Sequence, residues 1–225
     1  MRLAPSVYAF PVTVDRDGRE VTFHPAGVET EDGLVLVDTA LPDHLDDLEA
    51  ALDDEEFRLR DVEIVVITHE DSDHAGCLAA LTDETDATVL AAIGDSAVVE
   101  GDREPRGGGD YPPAHVDVRV TDGTELCTDA GPLRVVDTPG HTEGHVSLYL
   151  PDRNFLFAAD ALTAESGELA GPNPDFTEDV DAALDSVARL GELDVDGVLA
   201  FHGGPVDATD ADVRALHASL VGENN

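Results

Sequence analysis

Residues 67–77 read ITHEDSDHAGC, placing two histidines and three acids within positions 69–74, directly after the apolar run EIVVI. In an extended segment, side chains i and i+2 point the same way, so His69 and Asp71 can reach one cation before the chain turns. Asp73 and His74, at the mouth of the following helix, can then reach a second. The same letters fit a blander reading, in which Ser72 or Asp73 caps a helix AGCLAAL and the remaining acids are solvated. The surrounding chain has to separate the two.

Upstream, SVYAFPVTV and VTF alternate as strands do, with a DRDG turn between them, and GLVLVDT is an apolar run that ends in Asp38. A helix is expected over DHLDDLEAALDDEE, with Pro42 in its first turn and Leu45, Leu48 and Leu52 at helical spacing. EIVVIT, the helix AGCLAAL, TVLAA and a short helix DSAVVE continue a β, α, β, α, β order. Residues 101–115, GDREPRGGGDYPPAH, should form a long loop, and loops beyond about 12 residues in compact domains tend to be functional or disordered.

The second half repeats the pattern with strands VDVRVTDGTEL, PLRVVDT, HVSLYL and NFLFAAD. A loop rich in Gly and Pro is expected over 164–174, then a helix TEDVDAALDSVARL, a strand GVLAF running into HGG, and a last helix capped by Asp210 or a neighbour. Apolar strands here end abruptly in polar residues: IVVIT in His69, VVDTPG in His141, LFAAD in Asp160 and VLAF in His202. Ligands of α/β sheets gather at strand ends. A single His or Asp at such a place is most often a hydrogen-bonded structural residue, so the weight rests on their recurrence.

Four stretches, in order, resemble the metallo-β-lactamase superfamily: THEDSDH its T-H-x-H-x-D-H motif, TPGHTEGHVSLY its G-H-T motif, FLFAADAL the strand ending in a bridging Asp, and FHGG the last metal histidine. LVLVDT with Asp38 is similar to the early strand of that fold, and the likeness spans residues 7–204. The resemblance implies an α/β fold, a four-layer αββα sandwich of two mixed sheets with helices outside, formed by residues 1–225 as one domain. It also implies two divalent metal ions. His69, Asp71 and His141 would hold the first, Asp73, His74 and His202 the second, and Asp160 would bridge them.

His145 and Asp38 would stand behind these ligands and orient them. Position 71 departs from the family motif, being Asp where a His is usual; hydrolase-like and flavodiiron members resemble this variant. Two divalent ions, three carboxylates and one hydroxide balance in charge, so bound water should be acidified less than in an all-histidine site. An oxygen ligand also favours Mn or Fe relative to Zn. Zn remains the first expectation, with Fe or Mn as alternatives.

By this resemblance the chain is expected to be a hydrolase in which metal-activated water cleaves a small ester, lactone or thioester, with Asp73 accepting a hydrogen bond from the attacking oxygen. An iron-dependent oxidoreductase, of sulfur dioxygenase or di-iron type, and a phosphodiester hydrolase are the alternatives. A glutathione-thioester hydrolase is disfavoured because the chain stops soon after His202, and an exported β-lactamase because no secretion signal precedes the domain. Thr163 stands where lactone-cleaving members carry a Tyr near the bridging Asp. No G-x-S-x-G elbow offers a serine nucleophile.

Composition sets the remaining limits. Fifty Asp plus Glu face 12 basic residues, all Arg, for a net charge of −38. Hydrophobic content of 42% is that of a globular chain, so the charge should coat a solvated surface. Such a shell repels itself in dilute buffer and is screened at molar salt, where the Debye length is about 3 Å. In this the chain resembles proteins of salt-loving archaea. A polyanion gains nothing from such a surface, so no nucleic-acid partner is expected.

The start MRLAPSVYAF lacks a basic and long apolar leader, and no apolar run is long enough to span a bilayer. A cytoplasmic protein with a small-molecule substrate and no membrane partner is expected; a homodimer stays open. Cys77 and Cys127 are expected as buried small hydrophobes, His24, His44 and His217 as exposed, and Tyr111 and His115 as loop residues within reach of substrate.

Overall fold

The computed structural model describes residues 1–16, 18–106 and 110–223. Asp17 of the expected DRDG turn and Gly107 to Gly109 of the expected long loop lie outside them. The first half builds strands β1 (Arg2–Ala4), β2 (Val7–Ala9), β3 (Val12–Arg16), β4 (Arg19–Phe23), β5 (Ala26–Glu29) and β6 (Leu34–Val37), then helix α1 (Leu45–Asp53). β7 (Val62–Ile67), the single turn α2 (Ser72–Ala75), α3 (Leu78–Glu84), β8 (Thr88–Ala92), α4 (Ile93–Val99) and β9 (Val118–Val120) follow. Seven of these strands form one mixed sheet in the order β1-β2-β5-β6-β7-β8-β9, and β3 and β4 pair as a separate hairpin.

The second half supplies β10 (Glu125–Thr128), β11 (Gly131–Asp137), β12 (Val146–Leu150), β13 (Phe155–Ala159), β14 (Thr163–Glu165), β15 (Glu168–Ala170), α5 (Val180–Leu190), β16 (Gly197–Ala200), β17 (Gly204–Val206) and α6 (Asp210–Glu223). Its six-stranded sheet runs β10-β11-β12-β13-β16-β17, with β13 and β16 parallel.

Alternation along the strands explains why the sheets stack. In β6, Val35 and Val37 face the second sheet and join Val66, Leu133, Val135, Leu148 and Phe157 in one buried cluster. Leu34 and Leu36 face the other way and pack with Leu48 and Leu52 of α1 and Leu78 and Leu81 of α3. The outer face of the second sheet, through Tyr149, Leu156 and Val198, meets Val187 and Leu190 of α5 and Val213 of α6. Strands buried on both faces read as continuous apolar runs, and each fully buried Leu or Val contributes roughly 1.5–3 kcal/mol. The layers are helix, sheet, sheet, helix, as expected.

Several local expectations are corrected. Pro42 precedes α1, whose N-cap is His44. The run 116–126 is not one strand: β9 closes the first sheet and β10 opens the second, with the turn at Gly123 (φ 77°) between them. Within the expected loop 164–174, β14 and β15 form a hairpin whose two turn residues, Ser166 and Gly167, both have positive φ (54° and 84°), the geometry that matches strand twist. AGCLAAL is split between α2 and α3. Cys77 is buried but Cys127 is exposed, on β10 at the edge of its sheet. His24, His44 and His217 are half-buried rather than exposed, His24 because its Nδ1 lies 3.1 Å from the Phe201 carbonyl.

Candidate metal centre

Each strand that ends in a polar residue delivers it to the same edge of the sandwich. His69 and Asp71 follow β7, Asp73 and His74 lie on α2, His141 follows β11, Asp160 follows β13, and His202 follows β16. Their ligand-type atoms form three overlapping groups, each within 4.8 Å: His69, Asp71 and His141; His69, His74 and Asp160; and Asp73, His74 and His202. The capping reading fails for Ser72 and Asp73, which lie inside α2; the N-caps of α2 and α3 are Asp71 and Cys77, and neither makes a side-chain cap bond.

The histidines are oriented from behind. Asp38 Oδ2 accepts from His74 Nδ1 at 2.8 Å and from Thr68 Oγ1 at 2.7 Å. Thr68 Oγ1 in turn lies 3.1 Å from His69 Nδ1, so that nitrogen donates to the hydroxyl whose own proton goes to Asp38. Both imidazoles are thereby fixed with Nε2 bare and pointing into the cluster. Five buried side-chain atoms have no hydrogen bond among the described residues: His69 Nε2, His74 Nε2 and Asp160 Oδ1, which converge, and Glu70 Oε2 and His141 Nδ1 beside them. Leaving such groups unsatisfied costs about 1–3 kcal/mol each, and three that converge fit a cation.

His145 does similar work for Asp160. Its Nε2 accepts from the Asp160 backbone N–H at 3.1 Å, so Nδ1 carries the proton and donates to Thr138 Oγ1 at 2.8 Å. Thr138 then donates to Ser147 Oγ (3.0 Å), and Ser147 to the Ala158 carbonyl (3.0 Å). Burial pushes His145 well below the usual histidine pKa, with His69 and His141 adding to the effect, so it stays neutral as this relay requires. The relay pins a turn in which Ala159 adopts φ 48°.

Charge is concentrated here. Burial acts to raise the Asp160 carboxyl, but His74 and His202 outweigh it and hold it well below the carboxylate range. Asp73 behaves likewise: burial raises it, His202 and His74 outweigh burial, and the net direction is down. Burial lowers His202, yet Asp160 and Asp73, at 3.2 and 3.3 Å, bring it up to about 9. Glu70 is the exception. Burial, then Asp95 and Asp71, push it up to about 7, and its Oε2 is buried without a hydrogen bond.

Two residues that sequence reasoning missed complete the site. Arg106, from the 101–115 loop, forks onto Asp71 with Nε to Oδ1 at 2.8 Å and Nη2 to Oδ2 at 2.5 Å. Asp95, buried in α4, accepts from Glu70 N–H (3.1 Å), Thr142 Oγ1 (2.6 Å) and Gly144 N–H (2.9 Å), tying the THEDSDH and GHT loops together. Nothing in the local sequence marks either one, since both act on residues distant in the chain. Tyr111 does not reach toward a ligand; it is buried and donates to the Glu70 carbonyl at 2.6 Å. His115 is exposed and pairs with Glu100. A cleft of about 780 Å³ opens over the cluster, walled by Phe23, Phe176, Thr163 and the carboxylates.

The sequence profile of the metallo-beta-lactamase superfamily matches residues 28–202, spanning all seven convergent residues. The chain belongs to that superfamily. Among solved structures of the superfamily, a metallo-beta-lactamase family protein from Thermus thermophilus superposes with TM-score 0.77 at 26% identity, over 98% of this chain and 80% of its own. A metallo-beta-lactamase from Pontibacter korlensis reaches the same TM-score at 19% identity over 97% of both chains, a likeness of fold alone.

Among curated relatives, the probable metallo-hydrolase YflN of Bacillus subtilis is 26% identical over 63% of this chain and 64% of its own length. The hydroxyacylglutathione hydrolase of Methylococcus capsulatus is 34% identical over 44% of this chain and 34% of its own. The chain thus spans less than two thirds of the length of these relatives. The superfamily fold with its His and Asp clusters implies divalent metal ions. Among the described residues, no helix is long and apolar enough to cross a membrane.

Proposed function

We propose that this chain is a metal-dependent hydrolase of a small ester, lactone or thioester. The observation that carries the reading is the convergence of bare, buried His69 Nε2, His74 Nε2 and Asp160 Oδ1 beneath an open cleft. His69, Asp71, Asp73, His74, His141, Asp160 and His202 are the ligand set, with Asp38 and His145 orienting them. Zn is the first candidate ion, Mn or Fe the alternatives. A divalent ion bound there supplies acidification of water to a pKa near 7 and polarisation of an acyl oxygen.

The protein's own groups do the rest. Asp73, facing the cleft and held ionised, accepts a hydrogen bond from the attacking water and aims it. Phe23 and Phe176 offer an apolar wall to the acyl group, and Thr163 is spent on the Gly171 carbonyl (3.0 Å) rather than free for substrate. The names of YflN and the hydroxyacylglutathione hydrolases support hydrolysis, and the latter support a thioester.

A panel of chromogenic ester, lactone, thioester and phosphodiester substrates, assayed in about 2 M salt where surface repulsion is screened, tests this. Turnover of an acyl substrate that is abolished by chelation and restored by Zn is expected. Oxygen uptake without acyl turnover would favour the oxidoreductase alternative and overturn the hydrolase.

A further inference from the structure

We infer that Arg106 stands in for one of the two cations, so that the resting protein holds a single divalent ion, in the half of the site formed by Asp73, His74, Asp160 and His202. This rests on the metal-dependent reading above and narrows it.

A guanidinium has five N–H donors, and all five of Arg106 are placed. Nε and Nη2 take the two oxygens of Asp71 at 2.8 and 2.5 Å. Nη1 serves the carbonyls of His141 (2.7 Å) and Phe176 (2.6 Å), and Nη2 lies 2.6 Å from His141 Nε2. The guanidinium therefore already engages two of the three ligands of the first half with a geometry that satisfies every donor.

Space and charge both oppose an ion beside it. A transition metal binds imidazole nitrogen and carboxylate oxygen at about 2.0–2.2 Å. An ion bound to both His141 Nε2 and Asp71 Oδ2, which are 3.1 Å apart, competes with Nη2, which already lies 2.6 and 2.5 Å from these same two atoms. Arginine does not lose its proton to relieve the conflict. One divalent ion with one guanidinium balances the three carboxylates Asp71, Asp73 and Asp160, whereas a second divalent ion leaves the cluster in positive excess.

The other half is free of this competitor. His74 Nε2 and Asp160 Oδ1 have no hydrogen bond, His202 Nε2 is within 3.3 Å of Asp73 and Asp160, and His69 Nε2 can join from the side.

The test is an ion count. Wild-type chain, Arg106→Ala and Arg106→Gln are loaded with excess Zn²⁺ in about 2 M salt, desalted and assayed by elemental analysis, with circular dichroism as the folding control. Calorimetric titration gives the affinities. One ion per wild-type chain is expected, and two in both variants, the glutamine form keeping most of the side chain's bulk while losing its charge. Mn²⁺-loaded Arg106→Gln should show the spin-coupled spectrum of a pair where the wild type shows an isolated ion. Two ions in the wild type, or one in the folded variants, overturns the inference while leaving a metal-dependent hydrolase standing. No ion in any of the three overturns both.

Discussion

Asp38 adopts φ 61°, a left-handed conformation that costs a non-glycine residue about 1 kcal/mol or more, and in it the carboxylate meets Thr68 and His74 together. Strain held at one residue thus fixes the tautomers of two imidazoles. Replacing Asp38 by Ala frees both rings, and a 10- to 100-fold fall in metal affinity is expected in competition with a chromogenic chelator. The tautomer relay through His145 predicts a comparable loss for His145→Ala, together with a lower melting temperature, because the Asp160 N–H and the Thr138 hydroxyl lose their partner.

Glu70 carries the pH dependence at this scale. Burial raises its folded pKa from 4.5 to about 7, so the folded state binds its proton more tightly than the unfolded chain. Its contribution to stability is fully present below pH 4.5 and is lost as pH rises toward 7. Glu70→Gln should therefore melt higher than wild type, with the gain growing between those limits and constant above them; melting curves of the metal-free protein across that range decide it.

Elements matter here chiefly by how closely they approach. The GHT loop is pressed onto the start of α5: Gly140 has φ 129°, and a Cβ on it would lie 2.2 Å from Ala183 N and 2.5 Å from Ala183 Cα. Backbone cannot swing aside as a flexible side chain can. Gly140→Ala must lift the loop that carries His141, and a destabilisation of about 1–3 kcal/mol with loss of metal binding is expected by thermal melting and elemental analysis. Asp95 predicts the same kind of coupling between elements. Its three acceptor contacts join α4 to the loops after β7 and β11, so Asp95→Ala should cost about 2–4 kcal/mol by denaturant unfolding and weaken metal binding.

At the scale of the whole molecule the dominant quantity is the net charge of −38. The sheets and helices bury an ordinary apolar core, so the repulsion acts at the surface and is long-ranged in dilute buffer. Melting temperature should rise steeply as salt is raised from about 0.1 M, where the Debye length is about 10 Å, to about 2 M. Each kcal/mol of repulsion relieved is worth about 2–4 °C in a domain of this size. A melting temperature that ignores salt would show that the acidic shell carries no such burden.

Reading the sequence alone determined the layers and the seven convergent residues through the resemblance that four local motifs carry, each motif lying at or just after the end of its own strand. It missed the hairpin at Ser166 and Gly167, where composition alone read as loop, and it placed Tyr111 near substrate because exposure cannot be read from a single aromatic in an irregular segment.

Only the tertiary structure could decide what stands around the ligands. Arg106 and Asp71 are 35 positions apart, and Asp95 reaches Thr142 and Gly144 across 47 and 49. Such pairings carry no periodicity or spacing, since they arise when two sheets stack and bring unrelated loops to one edge. The motifs named the side chains that converge at one edge of the sandwich; packing chose the charges set against them.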